Sequence, residues 1–302
     1  MSEPGTVIAC FGEILWDSLP GGLFLGGAPL NVAYHLLRQG VRALPVSAVG
    51  RDLLGDEACR RMAAWGLETR WIGRQGGFPT GMARVTLAPA GAPHFHVARA
   101  AAWDHIPITR PLRYQRTPPT ALVFGTLALR GTANRRTLAR LFSTWPDAWR
   151  VADLNLRPPF DHPGVIASVL REAQLVKLNS DELRRLTGAS ARRPDALERT
   201  IRRFSRRHGI PRVCVTAGAC GAGLLWDGGW SWEEARPIEI CDTVGAGDAF
   251  LAGLLAALLL HRCTPAEALA HACRLGEFVA ARDGATPPYQ CGARGQPRVS
   301  SP

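Results

Sequence analysis

"DTVGAGDAFLAGLLAALLL", from Asp242 to Leu260, sets a turn of small residues between two aspartates and runs straight into the most apolar helix-like stretch of the chain. A Gly/Ala turn that opens a helix exposes backbone N–H groups with no partner inside the helix, and the helix dipole adds partial positive charge at that end. Such a turn is an anion site. Gly245, Ala246 and Gly247 carry so little side chain that a phosphate can approach their backbone closely. A P-loop would read GxxxxGK[ST] and bring a lysine; this turn brings Asp248 instead. A carboxylate beside an anion hole is a poor phosphate ligand and a good base. With a γ-phosphate on the backbone of 245–247, Asp248 stands where it can take the proton of an attacking hydroxyl, while the N–H groups stabilise the transferring phosphoryl group. The alternative is a tight turn with Asp248 as an ordinary N-terminal helix acid.

On either side of this stretch, apolar strands alternate with helices. "TVIACFG" (6–12), "ALPVSAVG" (43–50), "TALVFGTLAL" (120–129), "RVADLNL" (150–156), "AQLVKLN" (173–179) and "PRVCVTAG" (211–218) read as buried strands. Helical patterns fall between them at 28–40, 53–66, 132–145 and 180–188. Continuous apolar strands separated by helices predict a three-layer α/β/α sandwich around a mostly parallel sheet. Two segments, about 14–26 and 79–103, read as short strands joined by Gly/Pro turns and predict a small β-sheet lid outside the main sheet. Thr264, Pro265 and Glu267 form a capping-box signature for a last helix that stops at Gly284. Residues 1–287 are expected to form one domain, and the Pro/Gly/Ser-rich 288–302 a disordered tail.

At 302 residues and 46% apolar composition the chain can bury a sizeable core. The longest apolar run, 249–260, is too short to span a bilayer, and the N-terminus shows no secretory pattern, so a cytoplasmic location with no membrane partner is expected. Eight cysteines without a CxxC pair or His/Cys metal spacing read as reduced thiols. The net charge of +11 is nearly all arginine, with Lys177 the only lysine. Much of it lies in patterns such as "RRPDALERTIRRFSRRHG", without interleaved aromatics, which read as solvated helix faces; no nucleic-acid partner is expected.

DTVGAGDAF resembles the C-terminal motif of the PfkB family of carbohydrate kinases, which are similar to ribokinase. "LGGAPLNVAYHLLRQG" (25–40) resembles the N-terminal motif of the same family, and "VGRDLLGDEA", "DLNLRPPF", "KLNSDEL" and "VTAGACGAG" follow in the family's order. The resemblance covers roughly residues 6–287 and implies a ribokinase-like fold and an ATP- and Mg²⁺-dependent transfer to a sugar hydroxyl. It makes Asp248 the catalytic base and Gly245, Ala246 and Gly247 the anion hole. Asp242 and the Val244 carbonyl match positions that bind a monovalent cation such as K⁺. Asn179 and Glu182 fall on the NxxE motif that organises Mg²⁺ and phosphates through water, and Thr216, Gly218 and Gly221 on the segment along the nucleotide. Asp17, Gly26, Gly27 and Asn31 match sugar contacts, and Arg157 is a further substrate or phosphate ligand.

Other roles stand beside these. Asn31 also suits a helix cap, Glu182 a first-turn acid, Arg157 a structural arginine and Thr216 with its glycines a simple turn. Lys177 reads as a strand-end lysine. The combination "FGEILWDSLP", "AAAWDHIP" and "DLNLRPPF" looks most like bacterial fructokinases, which phosphorylate the 6-hydroxyl of D-fructose. Asp153, Asn155 and Arg157 also match 2-keto-3-deoxygluconate kinases, and a non-catalytic sugar- or nucleotide-binding regulator on the same fold is the alternative from another class. An exposed lid edge would allow a homodimer through the lid.

Overall fold

The computed structural model describes residues 5–19, 21–87, 93–115, 117–191, 193–292 and 296–298. β1 (Val7–Phe11) sends Val7, Ala9 and Phe11 into one apolar cluster and Ile8 and Cys10 into another, as a strand covered on both faces must. The hairpin β2 (Leu15–Leu19) and β3 (Gly22–Gly26) leads into α1 (Ala28–Arg38), β4 (Arg42–Gly50), α2 (Leu53–Trp65) and β5 (Ile72–Gln75). A second hairpin, β6 (Gly81–Leu87) and β7 (Pro93–Val97), precedes α3 (Arg110–Arg113). Strand and helix then alternate through β8 (Ala121–Gly125), α4 (Thr132–Thr144), β9 (Trp149–Asp153), α5 (Pro163–Glu172), β10 (Leu175–Asn179), α6 (Ser180–Thr187), α7 (Pro194–His208) and β11 (Arg212–Thr216). The hairpin β12 (Ala222–Trp226) and β13 (Gly229–Glu233) is followed by α8 (Ala246–Leu255) and α9 (Pro265–Ala280).

The main sheet has the order β13-β12-β11-β10-β9-β8-β1-β4-β5 and is parallel except for the β12–β13 hairpin at its edge. Helices α4 to α7 contribute to the apolar cluster on one face, and α1, α2, α8 and α9 to that on the other. This is the expected α/β/α sandwich. The strand order reverses between β1 and β8, and in open α/β sheets ligands bind in the crevice outside the carboxyl ends of strands at such a point. A second sheet, β3-β2-β6-β7, lies within the two segments 14–26 and 79–103; Pro20 and 88–92 of those segments fall outside the described residues.

Three local readings change. The strand expected over 120–129 stops at Gly125, because the buried Thr126 hydroxyl donates to the Leu154 carbonyl at 2.7 Å and Leu127–Arg130 bury their apolar side chains as a 3₁₀ turn. The β12–β13 hairpin was not anticipated, although Asp227-Gly228, both at positive φ, is the two-residue loop such hairpins favour. The expected disorder after 287 does not hold for Tyr289, which is buried and within 3.0 Å of the buried His35 ring, nor for Gln290–Cys291, which pairs with Pro297–Arg298. One aromatic anchor outweighs the polar composition around it; 293–295 and 299–302 lie outside the described residues. No helix among the described residues is long and apolar enough to cross a membrane.

Candidate active site

Gly245 caps α8 at φ 77°, and a Cβ there would lie 2.5 Å from Cα of Ala285, so only glycine closes this turn. Asp248 follows in the first turn of α8 and is buried, because α1 packs across α8. Asn31 of α1 donates from Nδ2 to Asp248 Oδ2 at 2.8 Å, while its own buried Oδ1 has no protein partner. An orphaned buried acceptor is costly unless a ligand donor meets it. Burial, and then the charge of Asp153, push the Asp248 carboxyl up to about 7, against the Asn31 hydrogen bond and the positive charges of Lys177 and Arg157. A carboxyl that titrates near neutrality is suited to general-base work.

Beneath the turn lies a charged floor that the sequence reading missed. Lys177, which lies in the middle of β10 and not at a strand end, holds both oxygens of Asp153, at the end of β9, at 3.0 and 2.8 Å, and both side chains are buried. A Cβ on Gly247 would come within 3.3 Å of the Lys177 ammonium.

The β2–β3 hairpin brings a second group of carboxylates. Asp17 on β2 faces the end of β3, where a Cβ on Gly26 would stand 2.8 Å from its Oδ2. Gly27 has φ 114°, and a Cβ there would collide with the Glu13 carbonyl. Burial pushes Asp17 up to about 6, opposed by Arg157. Glu13, just past β1, was not singled out from sequence, although a lone acid at the end of a buried strand is a signal. It too is buried and pushed up by burial, opposed by backbone N–H groups, Arg157 and Arg130. The positive charge of Arg157, an exposed residue of the loop after β9, favours the charged forms of Glu13, Asp17 and Asp248 alike.

On the other side of the turn, Thr216, Gly218, Gly221, Ala246 and Gly247 line a cavity of about 540 Å³. Its apolar wall, including Pro237, Ile238, Ile240 and Phe250, comes largely from the irregular segment 234–245, whose lack of periodicity hid it. Asn179, Glu182 and Arg157 line an adjoining cleft with Arg184 and Arg185. Asn179 caps α6, and Glu182 completes the capping box: its oxygens accept from the backbone N–H groups of Asn179 at 2.8 Å and Leu156 at 2.7 Å. Glu182 therefore ties the loop after β9 to α6, whatever else it binds. Asp242 likewise braces the turn, accepting from Val244 N at 2.9 Å and Gly284 N at 3.2 Å. Among the described residues no cluster of three or more His, Cys, Asp or Glu side chains is arranged to hold a metal.

The pfkB family carbohydrate kinase model matches residues 21–290. A fructokinase from Klebsiella pneumoniae is 28% identical over 266 residues, 83% of each chain. In fold the chain is similar to a fructokinase double mutant from Vibrio cholerae O395 solved with fructose, ADP and potassium ion, with a TM-score of 0.79, 22% identity and coverage of 95% of this chain and 96% of that one. A 2-dehydro-3-deoxygluconokinase from Thermotoga maritima gives a TM-score of 0.82 at 18% identity, covering 93% and 95%. With the ribokinase-like sandwich, the Gly245–Asp248 turn and a family match over most of its length, the chain belongs to the pfkB family of carbohydrate kinases.

Proposed function

We propose that this sugar kinase transfers the γ-phosphate of ATP to the primary 6-hydroxyl of D-fructose, with Asp248 as the base. The observation that carries the reading is the position of one turn. Ala246 and Gly247 line the apolar cavity on one side, while Asp248 meets Asn31 and lies in the field of Asp153, Lys177 and Arg157 on the other. A nucleotide base suits the apolar wall, and a γ-phosphate suits the N–H groups that begin α8, where that of Ala246 also donates to the Thr243 carbonyl at 3.3 Å. An acceptor hydroxyl placed against the Asp248 carboxylate would lose its proton to it as its oxygen attacks, and the N–H groups of 245–247 would stabilise the charge on the transferring group. Thr216, Gly218 and Gly221 would flank the nucleotide, with Asn179 and Glu182 on its phosphate side. Mg²⁺, which keeps most of its ligands as water and phosphate oxygens, fits a cleft whose acids are Glu182 and Asp181 and where no protein cage exists among the described residues; when bound it would neutralise phosphate charge. Asp242 and the Val244 carbonyl, beside the turn, are the proposed monovalent-cation ligands.

A neutral ketose fits better than a keto acid. Glu13, Asp17 and Asp248 already place three acidic side chains on the acceptor side, against the positive charges of Arg157, Arg130 and Lys177, so a substrate carboxylate would add a fourth acid there. Asp17 and the free acceptor of Asn31 instead suit hydroxyl donors. A regulator without activity would have no use for a base held near neutrality beside an anion hole. Leu23 and Phe24, exposed on the edge strand β3, support pairing of two chains through the small sheet. The function is tested by ADP release from Mg·ATP, with and without K⁺, across D-fructose, 2-keto-3-deoxygluconate, ribose and an aminoimidazole riboside. The highest kcat/KM is expected with fructose; preference for the keto acid would overturn the charge argument and keep the kinase.

A further inference from the structure

Lys177 is the only lysine in the chain, and it is buried. Its ammonium is clamped by both oxygens of Asp153 and underlies Gly247, one residue before Asp248. A buried ion pair is a weak stabiliser, since apolar side chains of similar volume often do as well. Its place under the turn that joins the two halves of the site therefore calls for a role in the chemistry. The charged and polar groups that face Asp248 come from four directions: Asn31 from α1, Asp153 from β9, Lys177 from β10 and Arg157 from the loop after β9. Burial first and then the charge of Asp153 oppose ionisation of the base; Asn31, Lys177 and Arg157 favour it. Lys177 also faces Glu182 of α6, and these neighbouring carboxylates keep it protonated despite its burial.

We propose, resting on the reading of Asp248 as base, that Lys177 is a positioning residue for phosphoryl transfer: clamped by Asp153, its ammonium supports Gly247 from below and offsets the Asp153 charge beside the base. Removing one member of the pair should then move the acid limb of the kcat/KM profile in a direction set by the charge removed. Lys177→Met leaves Asp153 uncompensated and raises the limb by about one pH unit; Asp153→Asn lowers it by a similar amount, and the double variant returns it toward wild type. The single lysine also allows a test that needs no turnover and no folded variant of Lys177. Protein labelled with ε-¹³C lysine shows one side-chain resonance for Lys177, expected to shift with a midpoint near pH 7 in the wild type and to lose that inflection in Asp248→Asn.

The pH profiles are taken with Mg·ATP and whichever acceptor releases ADP fastest. A Lys177 resonance blind to Asp248, or limbs that stay in place while melting temperatures fall, would reduce the pair to a structural one and overturn the proposal. Full turnover in Asp248→Asn would instead remove the base reading on which it rests. An inactive Asp248→Asn with unmoved limbs would remove this proposal alone.

Discussion

Asn31 Nδ2 donates to Asp248 Oδ2 at 2.8 Å and so joins the start of α1 to the start of α8 across 217 residues of chain. The bond aims a buried carboxylate and favours its charged form, against the desolvation that disfavours it. Asn31→Leu should therefore act on orientation and on protonation together. We expect kcat/KM to fall about 10- to 100-fold and its acid limb to move to higher pH, read from pH–rate profiles.

Asp248→Asn should lower turnover by about 10²- to 10⁴-fold while nucleotide binding, measured by calorimetry, stays close to wild type. Its stability should change with a definite sign. The folded carboxyl is held at about 7, above its ordinary value of 3.8, so its contribution is full below pH 3.8 and is lost as pH rises through 7. Relative to wild type, the asparagine variant should gain about 2 kcal/mol between pH 5 and pH 8, read from denaturant melts at both.

Glu182 accepts the N–H groups of Asn179 and Leu156, so its removal touches the fold as well as the proposed phosphate side. Glu182→Gln is expected to cost about 1 kcal/mol of stability through the weakened capping box. The Mg²⁺ concentration for half-maximal turnover should rise about tenfold. A stability loss with an unchanged Mg²⁺ requirement would leave Glu182 as a clamp only.

Gly26 gives Asp17 its room, since a Cβ would stand 2.8 Å from the carboxylate. Gly26→Ala should raise the acceptor KM at least about tenfold and leave the ATP KM unchanged, which steady-state kinetics with each substrate varied in turn will separate.

The alternation of strands and helices was legible because each element carries its own period, and the turn 245–248, the diglycine 26–27 and the capping box 264–267 because they are contiguous motifs. What escaped was made by the topology. Lys177 and Asp153 are ordinary strand residues until β9 and β10 lie side by side in parallel register, Lys177 opposite Asp153. Glu13 gains meaning only when Arg157, far along the chain, faces it. Ile238 and Ile240 form a cavity wall from a segment with no helix or strand period. Tyr289 sits in a stretch whose composition signals disorder, yet His35 and the Tyr34 hydroxyl, which donates to the Pro287 carbonyl at 2.8 Å, hold that stretch in place.

The most direct test of phosphoryl transfer by Asp248 is ³¹P NMR of a reaction containing Mg·ATP, D-fructose and either the wild type or Asp248→Asn. The account predicts a phosphomonoester resonance coupled to the C6 methylene protons with the wild type and its near absence with the variant. Phosphate on another carbon, inorganic phosphate alone, or equal rates from the two proteins would contradict it.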